Sequence, residues 1–192
     1  GIKLIYPTKN GYVGKWYEGT WDASHDATTG DIASSVAREY GWALRSSLTG
    51  GTGRGTGYSI TRSFFSFDTS DIFDTPKSGI LKIKGYGYHA ANEIYCVRAT
   101  SEIESAITVL DYDSIEGWDH DANNVSTTTR YALPTSAWII GDNNFVLNKQ
   151  TFADIAGQDR LNIALLSHLD MENIGGGLPA PSPTHFSGMY FV

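Results

Sequence analysis

The sequence is short of positive charge, cysteine and long apolar runs, and each shortage closes off a class of function. Lysine and arginine total 14 against 21 aspartates and glutamates, a net charge of −7, and the basic residues form no run. Without such a run there is nothing to exchange for the counterions of a phosphate backbone, so nucleic acid is not an expected partner. No apolar stretch approaches the ~20 residues that span a bilayer, so no membrane span is expected. The single cysteine, Cys96, excludes an internal disulfide and any zinc site built on a cysteine pair. It sits in "IYCVRA", where a small buried hydrophobe is the expected role and a reactive thiol the alternative. No signal peptide is recognisable. The first residue is Gly1 rather than Met, as expected of a processed protein or a fragment.

What remains is rich in sheet formers. Aromatic residues make up 12% of the 192 residues and charged ones only 18%, with Gly, Ser and Thr plentiful. That balance favours pleated sheet joined by turns. One domain spanning 1–192 is expected, since a chain of this length buries roughly 70% of its unfolded surface without metal or disulfide. Alternating runs separated by Gly, Asn, Asp and Pro predict strands at Ile60–Asp68, Gly79–Tyr88, Glu93–Ala99, Asn144–Asn148, Arg160–His168 and Gly188–Val192. Earlier candidates are "IKLIYP" and "YVGKWYEGTW". In Thr28–Ser47, Ala33–Arg38 has room for one helical turn, while Tyr40, Trp42 and Leu44 alternate as a strand does. Thr49–Ser59, with its many glycines, reads as a flexible loop. Short helical turns are expected at Ser70–Phe73 and, after Asn148 as N-cap, at Lys149–Ala156. The fold class is therefore all-β: an antiparallel β-sandwich or jelly roll with one or two helical turns.

The segment "ITRSFFSFDTSDIFDTP" fixes a face for each side chain. In a strand, Phe65 and Phe67 point one way, into a core. Arg62, Phe64 and Ser66 point the other way, so Phe64 needs a loop or a neighbour to cover it. Asp68, Thr69 and Ser70 are placed to bond the free N–H groups of the turn that follows. Alternation along the other strands puts Leu81, Ile83, Tyr95, Val97, Ile163, Leu165, Tyr190 and Val192 in the same core.

Catalytic constellations are not apparent. "GGTGRGTG" lacks the Gly-Lys-Ser/Thr ending of a P-loop, and no glycine triplet fits G-x-G-x-x-G. The five histidines show no i, i+4 pair, and no G-x-S-x-G elbow exists. Carboxylates gather in "LDYDSIEGWDHDANN", which offers Asp111, Asp113, Asp119 and Asp121 as ligands for calcium, the one cofactor the residues point to. An EF-hand fails there, because Asn124 stands where glycine is required and Arg130 where the bidentate glutamate belongs. The alternative is a solvated loop whose aspartates cap turns. Asn124-Val125-Ser126 is a glycosylation sequon. Of the five tryptophans about three are expected in the core, leaving Trp16, Tyr17 and Trp118 as candidate glycan contacts. "GIKLIYP" alternates, with Ile2, Leu4 and Tyr6 on one side, and Pro7 stops it. Residues 1–7 are expected to form an edge strand of their own sheet or one exchanged with another copy.

"ITRSFFSFDTSDI", "SGILKIKGYGYHAANEIYCVRATSE", "LDYDSI" and "FVLNKQTFADI", with "TWDASHDATTGD" and "SGMYFV", resemble a β-sandwich module of phage tail-fibre-like and secreted bacterial surface proteins. They are similar, more distantly, to jelly-roll carbohydrate-binding modules. The resemblance covers most of Trp21 to Val192 and rests on fold signatures, with no active-site motif to carry over. It implies a further strand after "MYFV", which this sequence does not contain. It also implies an extracellular, non-catalytic subunit of a filament, fibre or virion tail that associates with copies of itself. The alternative is a carbohydrate-binding module that takes surface glycans.

Overall fold

The computed structural model describes residues 2–35, 38–51, 55–89, 93–135, 138–177 and 185–190. Among them the chain is mostly antiparallel strand with a few short helices, so the all-β expectation holds. The strands are β1 (Pro7–Glu18), β2 (Ile32–Ser34), β3 (Arg38–Gly51), β4 (Gly55–Asp68), β5 (Ile80–His89), β6 (Ile94–Arg98), β7 (Gly141–Val146), β8 (Arg160–Ser167) and β9 (His185–Tyr190). The helices are α1 (Trp21–His25), α2 (Lys149–Gly157) and α3 (His168–Met171). No helix among the described residues is long and apolar enough to cross a membrane.

Strand β4 organises the sheet. Along one edge it pairs with β1, from Lys15↔Ile60 to Asn10↔Phe65. Along the other edge it pairs first with β3, up to Arg45↔Thr61, and then with β8, from Ser63↔Leu165 onward. The sheet therefore forks at Arg62. One arm runs β3-β9-β5-β7 and the other β8-β6. The arms meet again through the backbone of residues 129–135. Tyr131 N–H donates to Cys96 O at 2.9 Å, and Asn148 N–H donates to Tyr131 O at 2.8 Å. Thr135 N–H donates to Ile94 O at 3.1 Å. A hydrogen-bonded ring results, stitched at one place by an irregular segment.

Alternation then sorts the apolar residues into two cores. Phe65, Phe67, Leu81, Ile83, Ile163 and Leu165 join the core that draws on both arms, as their register predicts. Tyr95 and Val97 are buried too, but on the opposite face, with Ile60, Phe64, Ala164 and Leu166. Phe64 does receive its cover: Ile103, Tyr112, Ile115, Leu169 and Met171 pack there from the loop layer and α3. The side chain of Tyr190, and Val192 altogether, lie outside the described residues.

Several expectations shift. Residues 2–6 form no strand, and the first strand starts at Pro7 and takes in most of "YVGKWYEGTW". Ser70–Phe73 is a turn rather than a helix: Ile72 N–H reaches Thr69 O, while Asp68 Oδ1 accepts from Ser70 N–H and Oγ–H. Those bonds stop the chain before a second helical residue pair can form. The glycine stretch from Thr49 is strand up to Gly51 and again from Gly55, paired Gly51↔Gly55, with 52–54 outside the described residues. Cross-strand bonding outweighs the entropic cost of glycine there. The strand expected at Asn144–Asn148 begins at Gly141 and ends at Val146, because Asn148 is spent on capping α2. Its Oδ1 accepts from Thr151 N–H at 3.1 Å, as the sequence predicts.

Candidate functional site

Two aspartates of the acidic loop, Asp111 and Asp119, each turn an oxygen onto the loop's own backbone. Asp111 is buried, and its Oδ2 accepts from Thr108 N–H at 2.6 Å and Thr108 Oγ1 at 3.0 Å, closing a capping box on a 3₁₀ turn. Its Oδ1 takes a longer bond, 3.3 Å, from Ser114 Oγ. Asp119 Oδ1 accepts from Asp121 N–H at 3.0 Å. Asp113 faces the His120 ring at 3.5 Å, and Asp121 is exposed. Among the described residues no three of His, Cys, Asp or Glu converge as a metal cluster would. The sequon asparagine is also occupied. Asn124 is fully buried, its Nδ2 donating to Asp119 O and Ala122 O and its Oδ1 accepting from Asp119 N–H. In this fold Asn124 is the pin of a turn, and its amide nitrogen is turned away from solvent. Gly117, at φ +76°, lets the same loop approach the Thr127 carbonyl where a Cβ would collide.

Trp21 and Trp138 are core residues, whereas Trp16 and Trp118 are half-buried. The side chains of Tyr17 and Trp42 lie outside the described residues. Trp118 is not a free platform, because the Arg62 guanidinium lies 4.0 Å from its ring centroid.

That arginine is the centre of the most organised polar cluster in the chain. Arg62 is fully buried. Its Nε and Nη2 donate to the two carboxylate oxygens of Asp170 at 2.8 and 2.9 Å. Nη1 donates to Tyr112 O at 2.9 Å and Nη2 to His25 O at 3.0 Å. The guanidinium is sandwiched, with the Tyr112 ring 4.1 Å away on one side and Trp118 on the other. Burial is the largest influence and works against the charge, but Asp170, Tyr112 and Asp113 together outweigh it and hold the guanidinium above its ordinary range. The same burial pushes the Tyr112 phenol up. The cluster ties β4 to α1, α3 and the 112–118 segment. Arg62 and Asp170 are both fully buried, and each hydrogen bond of the guanidinium goes to an oxygen of the chain itself. The alternation rule located Arg62 on the covered face, but Asp170 carries no local signal, since it is 108 residues away in sequence. Cys96 sits in the first core, where burial pushes its thiol up, away from the reactive thiolate.

The N-terminal segment shows the opposite character. Ile2, Leu4 and Tyr6 are 97%, 78% and 68% exposed, whereas Ile5 packs on the first core. Lys3 pairs with Asp71 on the turn after β4. The alternation read from the sequence is therefore present as a difference in burial, without a strand partner among the described residues. No protein-family model matches the chain, and no curated protein is significantly similar to it.

Proposed function

We propose that the chain is a non-catalytic, self-associating module, built as a sandwich of the jelly-roll kind, that serves as a subunit of an extracellular filament, fibre or virion tail. The observation that carries this reading is the N-terminal segment. Three large apolar side chains at alternate positions stand in solvent, on a stretch that no strand among the described residues pairs. A segment of that pattern gains most by adding to the sheet of a second copy, where backbone bonding and apolar burial come together. Further apolar surface for such a copy is offered by Ile80, Leu133, Ile139, Ile140 and Val146, all exposed. The sequence resemblance to tail-fibre-like surface modules points the same way. The reading needs no cofactor. A glycan-binding role is less favoured, because Trp118 already stacks on Arg62.

Deleting residues 2–6 tests it. Sedimentation of the full chain is expected to show concentration-dependent assembly, and the shortened chain is expected to stay folded and monomeric. A full chain that sediments as a monomer at every concentration removes the proposal.

A further inference from the structure

Strand β7 ends the sheet on one side among the described residues, and its register shows which backbone groups it leaves over. Leu147 N–H donates to Gly79 O at 3.0 Å, which extends the β5–β7 register beyond Ile80↔Val146 by one pair. Hydrogen-bonded pairs alternate along an antiparallel ladder. Phe145 and Asn143 therefore turn their backbone groups to β5, while Val146, Asn144 and Asp142 turn theirs to the outer edge. Asn148, the next residue of that second set, meets a partner there: its N–H donates to Tyr131 O at 2.8 Å. Past the neighbouring bridge, Ala132↔Leu147, the two segments part. A cavity of about 520 Å³ lies between them, with Leu133 and Thr135 on one wall and Asn144 and Val146 on the other. Asp142, Asn144 and Val146 are exposed, as are Leu133 and Ile80, the cross-strand neighbour of Val146. The ring of strands thus has a seam, lined by backbone N–H and C=O groups along one side and by apolar side chains around it.

We infer that this seam is the receiving site for residues 2–6 of a second copy, which add to the outer edge of β7 as one further strand. The inference rests on the self-association proposed above and names where that contact is made. The seam calls for an extended segment about as long as β7, which has 6 residues, and apolar at alternate positions. Residues 2–6 fit both demands. Lys3, paired with Asp71, and Ile5, packed on the first core, hold the segment against its own body. Ile2, Leu4 and Tyr6 then stand away from that body together. In the seam they come to lie beside Val146, Ile80 and Leu133, so apolar burial accompanies the backbone bonds. The giving and the receiving surfaces are different parts of the chain. Each copy therefore gives at one and takes at the other, a heterologous contact that extends in a row.

Sedimentation of the full chain beside Asn144→Pro is the first test. Proline removes an N–H that β5 does not use, so the variant is expected to keep its fold, as circular dichroism would show. Its assembly should need a concentration higher by about tenfold or more, because a carbonyl of the incoming strand loses its donor. Asn144→Ala keeps the N–H and should assemble like the parent. Cross-linking locates the contact without a proline. A Leu4→Cys chain mixed with an Asn144→Cys chain is expected to form a mixed disulfide on mild oxidation. The same Leu4→Cys chain mixed with Ser34→Cys, on β2 at the other end of the sheet, is not. A full chain that assembles while a folded Asn144→Pro assembles at the parent's concentration overturns the seam and leaves self-association standing. A mixed disulfide at Ser34 in place of Asn144 does the same. A full chain that stays monomeric at every concentration removes both.

Discussion

The two faces of β4 solve the same problem by different means. On one face Phe65 and Phe67 meet Leu161, Ile163, Leu81 and Phe145 in a core of almost purely apolar side chains. On the other, Phe64 and Ile60 share their cover with a buried guanidinium, a carboxylate and an imidazole. The first face is closed mainly by strands, with α2 and the segment around Tyr131 completing it, and the strand ladders satisfy most of the backbone. The second is closed by turns and helices of four or five residues, whose free carbonyls need donors. Arg62 supplies them, giving two of its hydrogen bonds to backbone oxygens of Tyr112 and His25. A sheet face covered by irregular chain thus calls for a polar centre, whereas one covered by sheet does not.

The sharpest way to break this contrast is to remove charge without removing volume. Asp170→Asn keeps the shape but leaves the Arg62 guanidinium buried and unpaired, a loss of roughly 3–5 kcal/mol. Thermal melting should register it as the largest single effect, and Arg62→Met added to Asp170→Leu should recover part of it. If Asp170→Asn melts like the parent, the cluster is not what holds the second face.

On the first face, shape is what counts. Phe67→Ala is expected to cost about 3 kcal/mol through the cavity it leaves, and Phe67→Leu much less. Chemical denaturation would measure both. An isosteric change on one face would then cost as much as the loss of a whole ring on the other. A Phe67→Ala variant as stable as the parent would place the ring outside the core.

The smallest effect is expected where neither core is involved. The Ser70 side chain and backbone hold the Asp68 carboxyl below its ordinary range. Its contribution is present above the carboxyl's unfolded value and fades as pH falls through the lowered one. Asp68→Asn should therefore lower melting slightly near pH 7, with the difference from the parent closing as pH falls through the carboxyl range. A large loss at pH 7 would show that the turn matters to folding more than its exposure implies.

The difference between the faces also decides what could be read from the sequence. Alternation gives the orientation of every residue from Ile60 to Phe67, and Asn148 announces α2, because these signals span only a few residues. The fork at Arg62 was not legible. Alternation reports which face a side chain takes but not which strand lies beside it, and β4 changes neighbour within one residue. The helices α1 and α3 are too short to show a period, so the burial of His25 and Asp170 left no trace. Thr20 and Ser167, whose side chains cap them, were the available hints. The acidic loop reads as a cation site because turn-capping aspartates and calcium-binding aspartates share a spacing, and the sequence does not show the partners of Asp111 and Asp119.

The stitch made by Tyr131 has a consequence for aggregation. Sheets fail in solution when a long bare edge templates a stranger. Here the edge of β6 is occupied by residues 129–135, and the outermost strand at one end of the sheet, β2, has only three residues. The remaining flank, β7, is bridged to the same segment just past its end, at Ala132↔Leu147. Among the described residues a flank still open to another strand is therefore that of β7 from Gly141 to Val146, beside the exposed Ile139 and Ile140.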